Sequence, residues 1–282
     1  MDSTDSELAL DLSPMMRIYE DGRVERLTGT ETVPPSFDPK TNVESKDIVY
    51  SLEHHLSVRL YLPKNTQQNQ KLPLLIYFYG GSFLLGSAFS PGFHNYLNSL
   101  VFEAKIIEVS VDYRLAPENP VPAAYEDSWT TLKWVASHFN GKGSEDWLNR
   151  HADFQRVFLS GDSAGANIAN RMAIKHGHEE KLEVINVKGI ILCCPYFWGN
   201  EIIAAVQVFV SEKNLFRERG WYYAAKVRES GWSGDLEVTD FNGEDHDFHL
   251  IKPTCEKAVA MPNSIVSFIN LEQEKDDYGM EI

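Results

Sequence analysis

Short runs of apolar residues alternate with longer stretches of mixed character along most of this 282-residue chain. Continuous apolar runs are typical of strands covered on both faces, and the stretches between them show the spacing of helices. The predicted parallel strands are residues 74–78, 106–111, 157–160, 187–194, 206–210 and 236–241, after an antiparallel pair at 47–50 and 56–62. The predicted helices are residues 123–138, 166–175, 216–230 and 255–270. This alternation predicts an α/β fold in which helices cover both faces of a mostly parallel sheet.

One predicted connection in this sheet is short. About ten residues, from Tyr196 to Ala205, separate two strands that should be parallel, whereas a crossover usually needs about a dozen or more residues with a helix. Three explanations stay open at this point: residues 202–205 are all that remains of the crossover helix, the sheet is rearranged there, or the chain is a truncated or mis-spliced product.

Residues 157–165 read VFLSGDSAG, an apolar strand that runs into a turn of small residues and then a helical stretch. A nucleophile elbow needs a serine at the tip of such a turn, because the hydroxyl is then exposed and the next N–H points at a developing oxyanion. The small residues Gly161, Ala164 and Gly165 let the turn close. We therefore interpret Ser163 as the candidate nucleophile and the Ala164 N–H as one oxyanion donor.

A second element of the same chemistry lies upstream of the elbow. Predicted strand 74–78 leads into Tyr79, Gly80, Gly81 and Ser82, and hydrolases with this elbow take their second oxyanion donor from a loop at that position. Glycine lets the main chain approach a substrate closely. Gly80 and Gly81 therefore complete the predicted oxyanion hole with Ala164.

Three further motifs point to one family. They are the run DYRLAPE at residues 112–118, Asn167 after the elbow, and the run GEDH at residues 243–246. On these motifs the chain resembles the plant carboxylesterases of the hormone-sensitive-lipase-like α/β-hydrolase group, whose relatives include hydroxyisoflavanone dehydratases and gibberellin receptors. The similarity runs from about residue 12 to residue 269. It implies the α/β-hydrolase fold.

The length and composition suit one domain. At 282 residues and 43% hydrophobic content, the chain is long enough to bury a substantial core. We predict a single α/β-hydrolase domain over residues 1–271. Residues 272–282 are charged and carry no periodic pattern, so we expect them to form a disordered acidic tail.

The candidate general base is His246. On this fold the triad follows the chain order serine, acid, histidine, and His246 comes after predicted strand 236–241 in a polar loop. The preceding residues 243–245 and the following Phe248 match the pattern of the family that the chain resembles. We therefore expect His246 to accept the proton of Ser163.

The position of the triad acid departs from the family pattern. After predicted strand 206–210 the resemblance implies an aspartate, and this chain has Asn214. Asparagine is uncharged, so it cannot stabilise an imidazolium and is expected to favour the wrong histidine tautomer. In a serine protease the same replacement lowers turnover by about 10⁴. Glu212 and Asp245 are candidate substitutes, but spacing alone does not show that either reaches His246.

The oxyanion loop departs from the pattern as well. Tyr79 stands where the family has histidine, and Ser82 stands where it has a third glycine. The family residue at position 79 shapes the loop rather than transferring a proton, so its replacement affects loop geometry more than chemistry. Ser82 adds a side chain at a crowded site. Backbone donors at Gly80, Gly81 and Ala164 remain available.

Charge and targeting patterns exclude several classes of partner. The chain has 26 basic and 41 acidic residues, a net charge of −15, and such a balance argues against nucleic acid or an anionic membrane as a partner. No apolar run approaches the roughly 20 residues of a membrane span. The acidic N-terminus lacks a cationic region followed by an apolar one. We expect a cytoplasmic protein; the sequence does not indicate an oligomeric state.

The cysteines do not predict a metal site. Cys193, Cys194 and Cys255 have no metal-ligand spacing, and the first two lie in an apolar strand pattern. We interpret them as reduced core residues. The sequence implies neither a metal nor an organic cofactor.

Three functions compete. The first is hydrolysis of small or medium carboxylic esters through an acyl-enzyme on Ser163. The second is a binding module that holds an apolar ligand without turnover, which Asn214, Tyr79 and the short connection favour. The gibberellin receptors, however, lack the histidine that this chain keeps. They also carry an N-terminal lid, and the first eleven residues here are too short and polar to form one. The third is an elimination catalyst of the dehydratase type, which needs a base more than a nucleophile and ranks last because Ser163 is intact.

Overall fold

The computed structural model describes residues 7–196 and 204–277. Its strands are β1 Leu8–Leu12, β2 Met16–Tyr19, β3 Val24–Arg26, β4 Phe37–Asp38, β5 Val43–Ser51, β6 Leu56–Pro63, β7 Leu72–Phe78, β8 Ile107–Asp112, β9 Ala152–Asp162, β10 Val187–Cys193, β11 Ala205–Ser211 and β12 Leu236–Phe241. Its helices are α1 Pro91–Ala104, α2 Ala123–Ala136, α3 Asp146–His151, α4 Ala164–Ile174, α5 Arg217–Glu229, α6 Phe248–Ile251 and α7 Glu256–Asp277, with a π-helical turn at Lys175–Glu179.

A nine-stranded sheet forms the centre of the molecule. Its order is β12-β11-β10-β9-β7-β8-β6-β5-β4, and β1, β2 and β3 form a separate antiparallel sheet. Strands β7 to β12 are parallel to their neighbours among themselves, whereas β6 and β5 run antiparallel. Every residue of β7 is buried, as expected for a strand covered on both faces. The predicted α/β-hydrolase fold, with its opening antiparallel pair, is confirmed.

The short connection does not disturb the sheet. Strands β10 and β11 are adjacent and parallel, in register from Gly189 opposite Ala205 to Cys193 opposite Phe209. The predicted rearrangement of the sheet at this point is therefore wrong. Ala205 is the first residue of β11 rather than part of a crossover helix. Ala204 forms a bend before the strand, and the other two residues of that predicted remnant, 202 and 203, lie outside the described residues.

Helix α1 was not predicted, because polar residues interrupt its apolar pattern. His94 and Asn98 are both buried, and they are hydrogen-bonded to each other, with Asn98 Nδ2 lying 3.1 Å from His94 Nε2. His94 Nδ1 lies 3.1 Å from the Tyr61 hydroxyl on β6. A paired polar side chain can face the core at little cost. The helix therefore packs on the sheet through a face that hydrophobicity alone does not reveal.

Helix α7 extends further than its predicted end at residue 270. It continues to Asp277, so the segment predicted as a disordered tail from residue 272 begins within a helix. Charged residues with high helix propensity, such as glutamate and lysine, continue a helix without any apolar periodicity. Residues 278–282 lie outside the described residues.

The carboxyl ends of the parallel strands define one edge of the sheet. Ligands of open α/β sheets bind in the crevice at this edge. Strand β9 ends here at Asp162, directly before Ser163, and β10 ends at Cys193. The loops after β11 and β12 supply Asn214 and His246. The topology therefore brings every candidate catalytic residue to the same edge.

The buried side chain of Glu108 makes the free energy of unfolding depend on pH. This residue of β8 is fully buried, and neither carboxylate oxygen has a hydrogen-bond partner among the described residues. Burial raises the pKa of the Glu108 carboxyl well above its ordinary value. Since the native state then holds a proton that the unfolded chain has lost, stability falls as pH rises above that ordinary value, by up to about 1.4 kcal/mol per pH unit.

We expect Glu108→Gln to remove this loss. The variant should be more stable than the wild type at neutral and alkaline pH, and the difference should shrink as pH approaches the ordinary carboxyl range. Urea unfolding followed by circular dichroism across this pH range measures it. Glu103→Gln, an exposed position on α1, is the control and should follow the wild type; equal pH slopes for Glu108→Gln and wild type would contradict the assignment.

Candidate active site

Ser163 has the backbone conformation that the elbow motif predicts. It lies between the last residue of β9 and the first residue of α4, with φ 52 and ψ −112, a sparsely populated region for a residue with a side chain. Its N–H donates to the Cys193 carbonyl at 2.8 Å. At Gly165 an added Cβ would overlap the Phe78 carbonyl oxygen. Glycine at this position therefore allows the helix to leave β9 close to β7.

Asp162 joins the elbow to the oxyanion loop. Its buried carboxylate accepts a hydrogen bond from the Gly80 N–H at 3.0 Å and another from the Tyr77 hydroxyl. The Gly80 N–H is therefore used inside the protein, and the prediction that it donates to an oxyanion does not fit this structure. Gly80 positions the loop instead.

Gly81 is the loop glycine whose conformation matters most. It has φ 119, and an added Cβ would overlap the Leu85 carbonyl. Its own carbonyl accepts from the N–H groups of Leu84 and Leu85 at 2.9 and 3.0 Å. This tight turn fixes the direction of the backbone next to the elbow.

Tyr79 shapes the loop through Tyr113. The two rings are stacked, with centroids 4.3 Å apart and planes 10° from parallel. Each hydroxyl donates to the backbone carbonyl of the other residue, at 3.2 Å from Tyr79 and 2.6 Å from Tyr113. Both side chains are almost fully buried. Tyr79 thus has a structural role in the loop, in agreement with the sequence analysis.

The Asn214 side chain orients His246. Asn214 Oδ1 accepts from the Phe216 N–H at 2.9 Å and lies 3.1 Å from His246 Nδ1. A backbone N–H can only donate, so the atom that faces Phe216 must be the oxygen. His246 Nδ1 therefore carries a hydrogen and donates it. Nε2 faces the Asp247 carboxylate, which can only accept, so both ring nitrogens carry hydrogen in this arrangement. The expectation that Asn214 favours the wrong tautomer is corrected by the Phe216 N–H.

The negative charge near His246 comes from Asp247. Asp247 Oδ2 lies 3.2 Å from His246 Nε2. Burial, the largest influence, lowers the pKa of His246, but the hydrogen bond to Asp247 and the charges of Asp247, Asp162 and Asp245 together outweigh it, so this pKa is raised. Asp247 was missed by the sequence analysis, in which the only signal for it was its position next to His246.

Neither predicted substitute for the triad acid contacts the imidazole. Glu212 Oε2 accepts from the Gly243 N–H. Asp245 Oδ1 accepts from the backbone N–H of His246 at 2.7 Å. Both carboxylates stabilise the loop that carries His246, and the ring itself has Asn214 on one nitrogen and Asp247 on the other.

The nucleophile and the base are brought to one corner but are not yet engaged. Ser163 is 3% exposed, and within residues 7–196 and 204–277 its hydroxyl forms no hydrogen bond with His246. Catalytic hydrogen bonds of this kind often form only when substrate is bound. His246 also lines a cavity of about 290 Å³ together with Asp245, Phe248, Ile251 and Lys252.

The same corner contains a group of metal-ligating side chains. One ligand atom from each of Cys194, His246 and Asp247 lies within 4.8 Å of the others. The sequence analysis interpreted Cys194 as a core residue, and it is indeed buried, but its place beside His246 was not foreseen.

Comparisons with known proteins identify the family of this chain. The family model described as an alpha/beta hydrolase fold matches residues 75–205. An Arabidopsis thaliana relative named "Probable carboxylesterase 13" is 43% identical, with 94% of this chain and 98% of the relative covered. The 2-hydroxyisoflavanone dehydratase of Glycine max is 39% identical, with 93% and 99% covered. The fold and the elbow thus define an α/β hydrolase, and the chain belongs to the plant carboxylesterase family.

Solved structures show the same fold. An esterase from the hyperthermophilic archaeon Pyrobaculum calidifontis has a TM-score of 0.67 at 24% identity, over 80% of this chain and 85% of that chain. Esterases from the fungus Rhizomucor miehei give a TM-score of 0.71 at 21% identity, over 86% of each chain. Among the described residues, no helix is both long enough and apolar enough to cross a membrane.

The relatives contain residues that this chain lacks. The alignment with the first Arabidopsis relative extends over 324 positions, more than the 282 residues of this chain. A shortened segment is therefore a property of this chain relative to its family, as the connection between β10 and β11 indicated.

The protonation of His246 can be measured directly. We expect its pKa to lie above the ordinary histidine value, because Asn214 Oδ1 accepts from Nδ1 and the Asp247 carboxylate accepts from Nε2 of the protonated ring. Long-range ¹H–¹⁵N correlation spectra of histidine-labelled, chelator-treated protein across a pH series follow both nitrogens, and His246→Gln assigns the signals. A His246 ring that is already neutral at its ordinary pKa would contradict the assigned contacts.

Proposed function

We propose that this protein is a serine hydrolase that cleaves small or medium carboxylic esters through an acyl-enzyme on Ser163. The observation that carries this proposal is the backbone of Ser163, with φ 52 and ψ −112 at the junction of β9 and α4. On this fold such a strained turn places the serine at the tip of the strand and directs the next N–H at the reacting carbonyl. Relatives named carboxylesterases that are about 40% identical over nearly the whole chain support the same chemistry.

The proposed reaction uses His246 as the base. Nε2 takes the proton of the Ser163 hydroxyl as the oxygen attacks the ester carbonyl, and returns it to the leaving alcohol. Water then hydrolyses the acyl-enzyme with the same residue as base. The imidazolium formed in each step donates through Nδ1 to Asn214 Oδ1, which keeps the ring in place.

Two backbone groups are the proposed donors to the oxyanion. The Ala164 N–H is at the first turn of α4, where backbone N–H groups lack partners within the helix. Gly81 supplies the second donor, since the Gly80 N–H is bonded to Asp162. Donors fixed in this way stabilise the charge that develops on the carbonyl oxygen.

Asp247 has two opposing effects in this scheme. Its charge stabilises the imidazolium, and so replaces part of what an aspartate at position 214 would provide. It also occupies Nε2, the nitrogen that must reach Ser163. We therefore propose a hydrolase whose base must leave Asp247 before it can act, and whose turnover is low.

Replacement of the nucleophile tests the proposal. Ser163→Ala should lose hydrolysis of p-nitrophenyl acetate and butyrate and should lose labelling by a fluorophosphonate, because both need the Ser163 oxygen. Circular dichroism establishes that the variant is folded. Ser99→Ala, an exposed serine on α1, is the matched control and should keep wild-type rates. Full esterase activity in Ser163→Ala would remove the proposed function.

Restoring a carboxylate at position 214 should raise activity. We expect kcat for Asn214→Asp to rise roughly 10- to 100-fold, less than the about 10⁴-fold reported by the reverse change in a protease, because there the tautomer is also lost. The variant should be slightly less stable, since Asn214 Nδ2 is buried without a partner among the described residues and a carboxylate oxygen would take its place. Asn214→Ala is the control and should lower kcat; an unchanged kcat in Asn214→Asp would show that charge at this position does not limit turnover.

A second candidate function is elimination of water from a β-hydroxy carbonyl compound. It is favoured by the Glycine max relative named 2-hydroxyisoflavanone dehydratase and by the retained base His246. Water loss that survives Ser163→Ala but not His246→Gln would support it.

If the folded wild type catalyses neither reaction, the remaining proposal is a hydrolase scaffold that binds an apolar ligand. Calorimetry would detect this as binding without product.

We also propose a cytoplasmic location and small-molecule partners. The net charge of −15 disfavours nucleic acid and anionic membranes. One relative is named mitochondrial, so imaging of a fluorescent fusion to the full chain is the deciding measurement; a mitochondrial signal would replace the proposed location.

A further inference from the structure

Three side chains of different chemistry meet beside Ser163. Cys194 provides a sulfur, His246 a ring nitrogen and Asp247 a carboxylate oxygen, and these ligand atoms lie within 4.8 Å of one another. Since His246 Nδ1 is bonded to Asn214, Nε2 is the nitrogen that remains for a cation. Nε2 and Asp247 Oδ2 are 3.2 Å apart, close to the separation of two ligands on one tetrahedral metal ion.

The backbone holds two of these ligands in strained conformations. Cys194 has φ 50 and Asp247 has φ 49, values that are uncommon for residues other than glycine and that cluster at functional sites. The Cys194 N–H donates to the Phe209 carbonyl of β11 at 2.8 Å, and this bond ties the turn to the sheet. The Cys194 backbone is thus anchored to the sheet directly after β10, and Asp247 lies in the loop between β12 and α6.

Asp247 has an oxygen that the protein does not use. Its Oδ1 atom is buried and has no hydrogen-bond partner among the described residues. An unpaired buried carboxylate oxygen is costly. A cation at this corner would satisfy it.

The donor set selects the kind of ion. A thiolate, an imidazole and a carboxylate together suit zinc, which takes sulfur, nitrogen and oxygen ligands in a tetrahedral arrangement. Magnesium and calcium prefer oxygen ligands alone. We propose that Cys194, His246 and Asp247 form a zinc site with one open coordination position. Zinc displaces the proton of the Cys194 thiol and any proton on His246 Nε2 to solvent, with no change of oxidation state.

Zinc in this site would inhibit the enzyme. A metal ion bound to Nε2 removes the lone pair that must accept the Ser163 proton. This consequence depends on the proposed hydrolase function, whereas binding itself does not. Free zinc would therefore inhibit the enzyme reversibly, because it binds the nitrogen that must accept the Ser163 proton.

Cobalt spectroscopy tests binding without reference to activity. Metal-stripped full-length protein is titrated with Co²⁺, and we expect a near-ultraviolet thiolate-to-cobalt band with visible bands of a tetrahedral site, all displaced by Zn²⁺. Cys194→Ser should lose the thiolate band and bind Zn²⁺ at least about tenfold more weakly, because loss of outer-sphere partners alone typically costs 10–100-fold. Cys255→Ser, at the residue directly before α7, is the matched control and should keep both.

A second variant guards against misfolding of the first. Asp247→Asn keeps a residue type that tolerates the left-handed conformation and should also weaken Zn²⁺ binding at least about tenfold by the same reasoning. Circular dichroism verifies the fold of each variant. A folded wild type without a thiolate-to-cobalt band, or a band that persists in Cys194→Ser, would overturn the site.

Inhibition is measured separately. Ester hydrolysis in chelator reports the proposed hydrolase function, and the ratio of rates with and without added Zn²⁺ reports the metal site. We expect the wild type and Cys255→Ser to be inhibited and then restored by chelator, and Cys194→Ser to need at least about tenfold more Zn²⁺. Equal inhibition of wild type and Cys194→Ser would overturn the inhibitory role, even where hydrolysis itself is intact.

Discussion

The buried carboxylate of Asp162 is the interaction on which the rest of the site depends. It follows β9 directly, and it holds the Gly80 N–H and the Tyr77 hydroxyl, so one side chain fixes the elbow, the oxyanion loop and the end of β7 relative to one another. Burial raises the pKa of Asp162, and the nearby charge of Asp247 adds to this effect. A carboxylate in such a place is tolerated because it accepts two hydrogen bonds. Its cost is the loss of the Gly80 N–H as a donor, which leaves Gly81 as the donor proposed from this loop.

The carboxylate beside the histidine lies at Nε2, whereas the acid of a serine triad lies at Nδ1. In a serine triad the acid contacts Nδ1, so that it stabilises the imidazolium without blocking Nε2. Here the neutral Asn214 contacts Nδ1, and the Phe216 N–H imposes the orientation of its amide. The charged group, Asp247, faces Nε2. The ring is thus oriented through Nδ1 and electrostatically stabilised, while Nε2 is engaged by Asp247, and both proposals, slow hydrolysis and cation binding, rest on this arrangement.

Most of the fold could be predicted from the sequence, whereas the environment of His246 could not. Continuous apolar runs identified the parallel strands because both of their faces are buried, and the small residues around Ser163 identified the elbow because its turn admits little else. Asp247 and Cys194 carried no local signal: one follows β12 and the other follows β10, and only the sheet order places them together. The tautomer likewise depended on a backbone N–H at Phe216 that no side-chain pattern reveals. Helix α1 was missed for a related reason. Its buried polar residues His94 and Asn98 are hydrogen-bonded to each other, and an apolar pattern does not reveal such a pair.

The short connection between β10 and β11 does not shift Ser163 relative to His246, because hydrogen bonds between the strands fix the loops that carry these two residues. The proposed nucleophile, Ser163, directly follows β9, and the proposed base, His246, lies in the loop after β12. Between them, β10 pairs with β9 on one side and with β11 on the other, and β11 pairs with β12 over its whole length. Two further backbone bonds, from Ser163 N–H to Cys193 and from Cys194 N–H to Phe209, continue this ladder past the strand ends. A short connection between β10 and β11 breaks none of these bonds. The expected consequence is that the relative position of Ser163 and His246 is preserved.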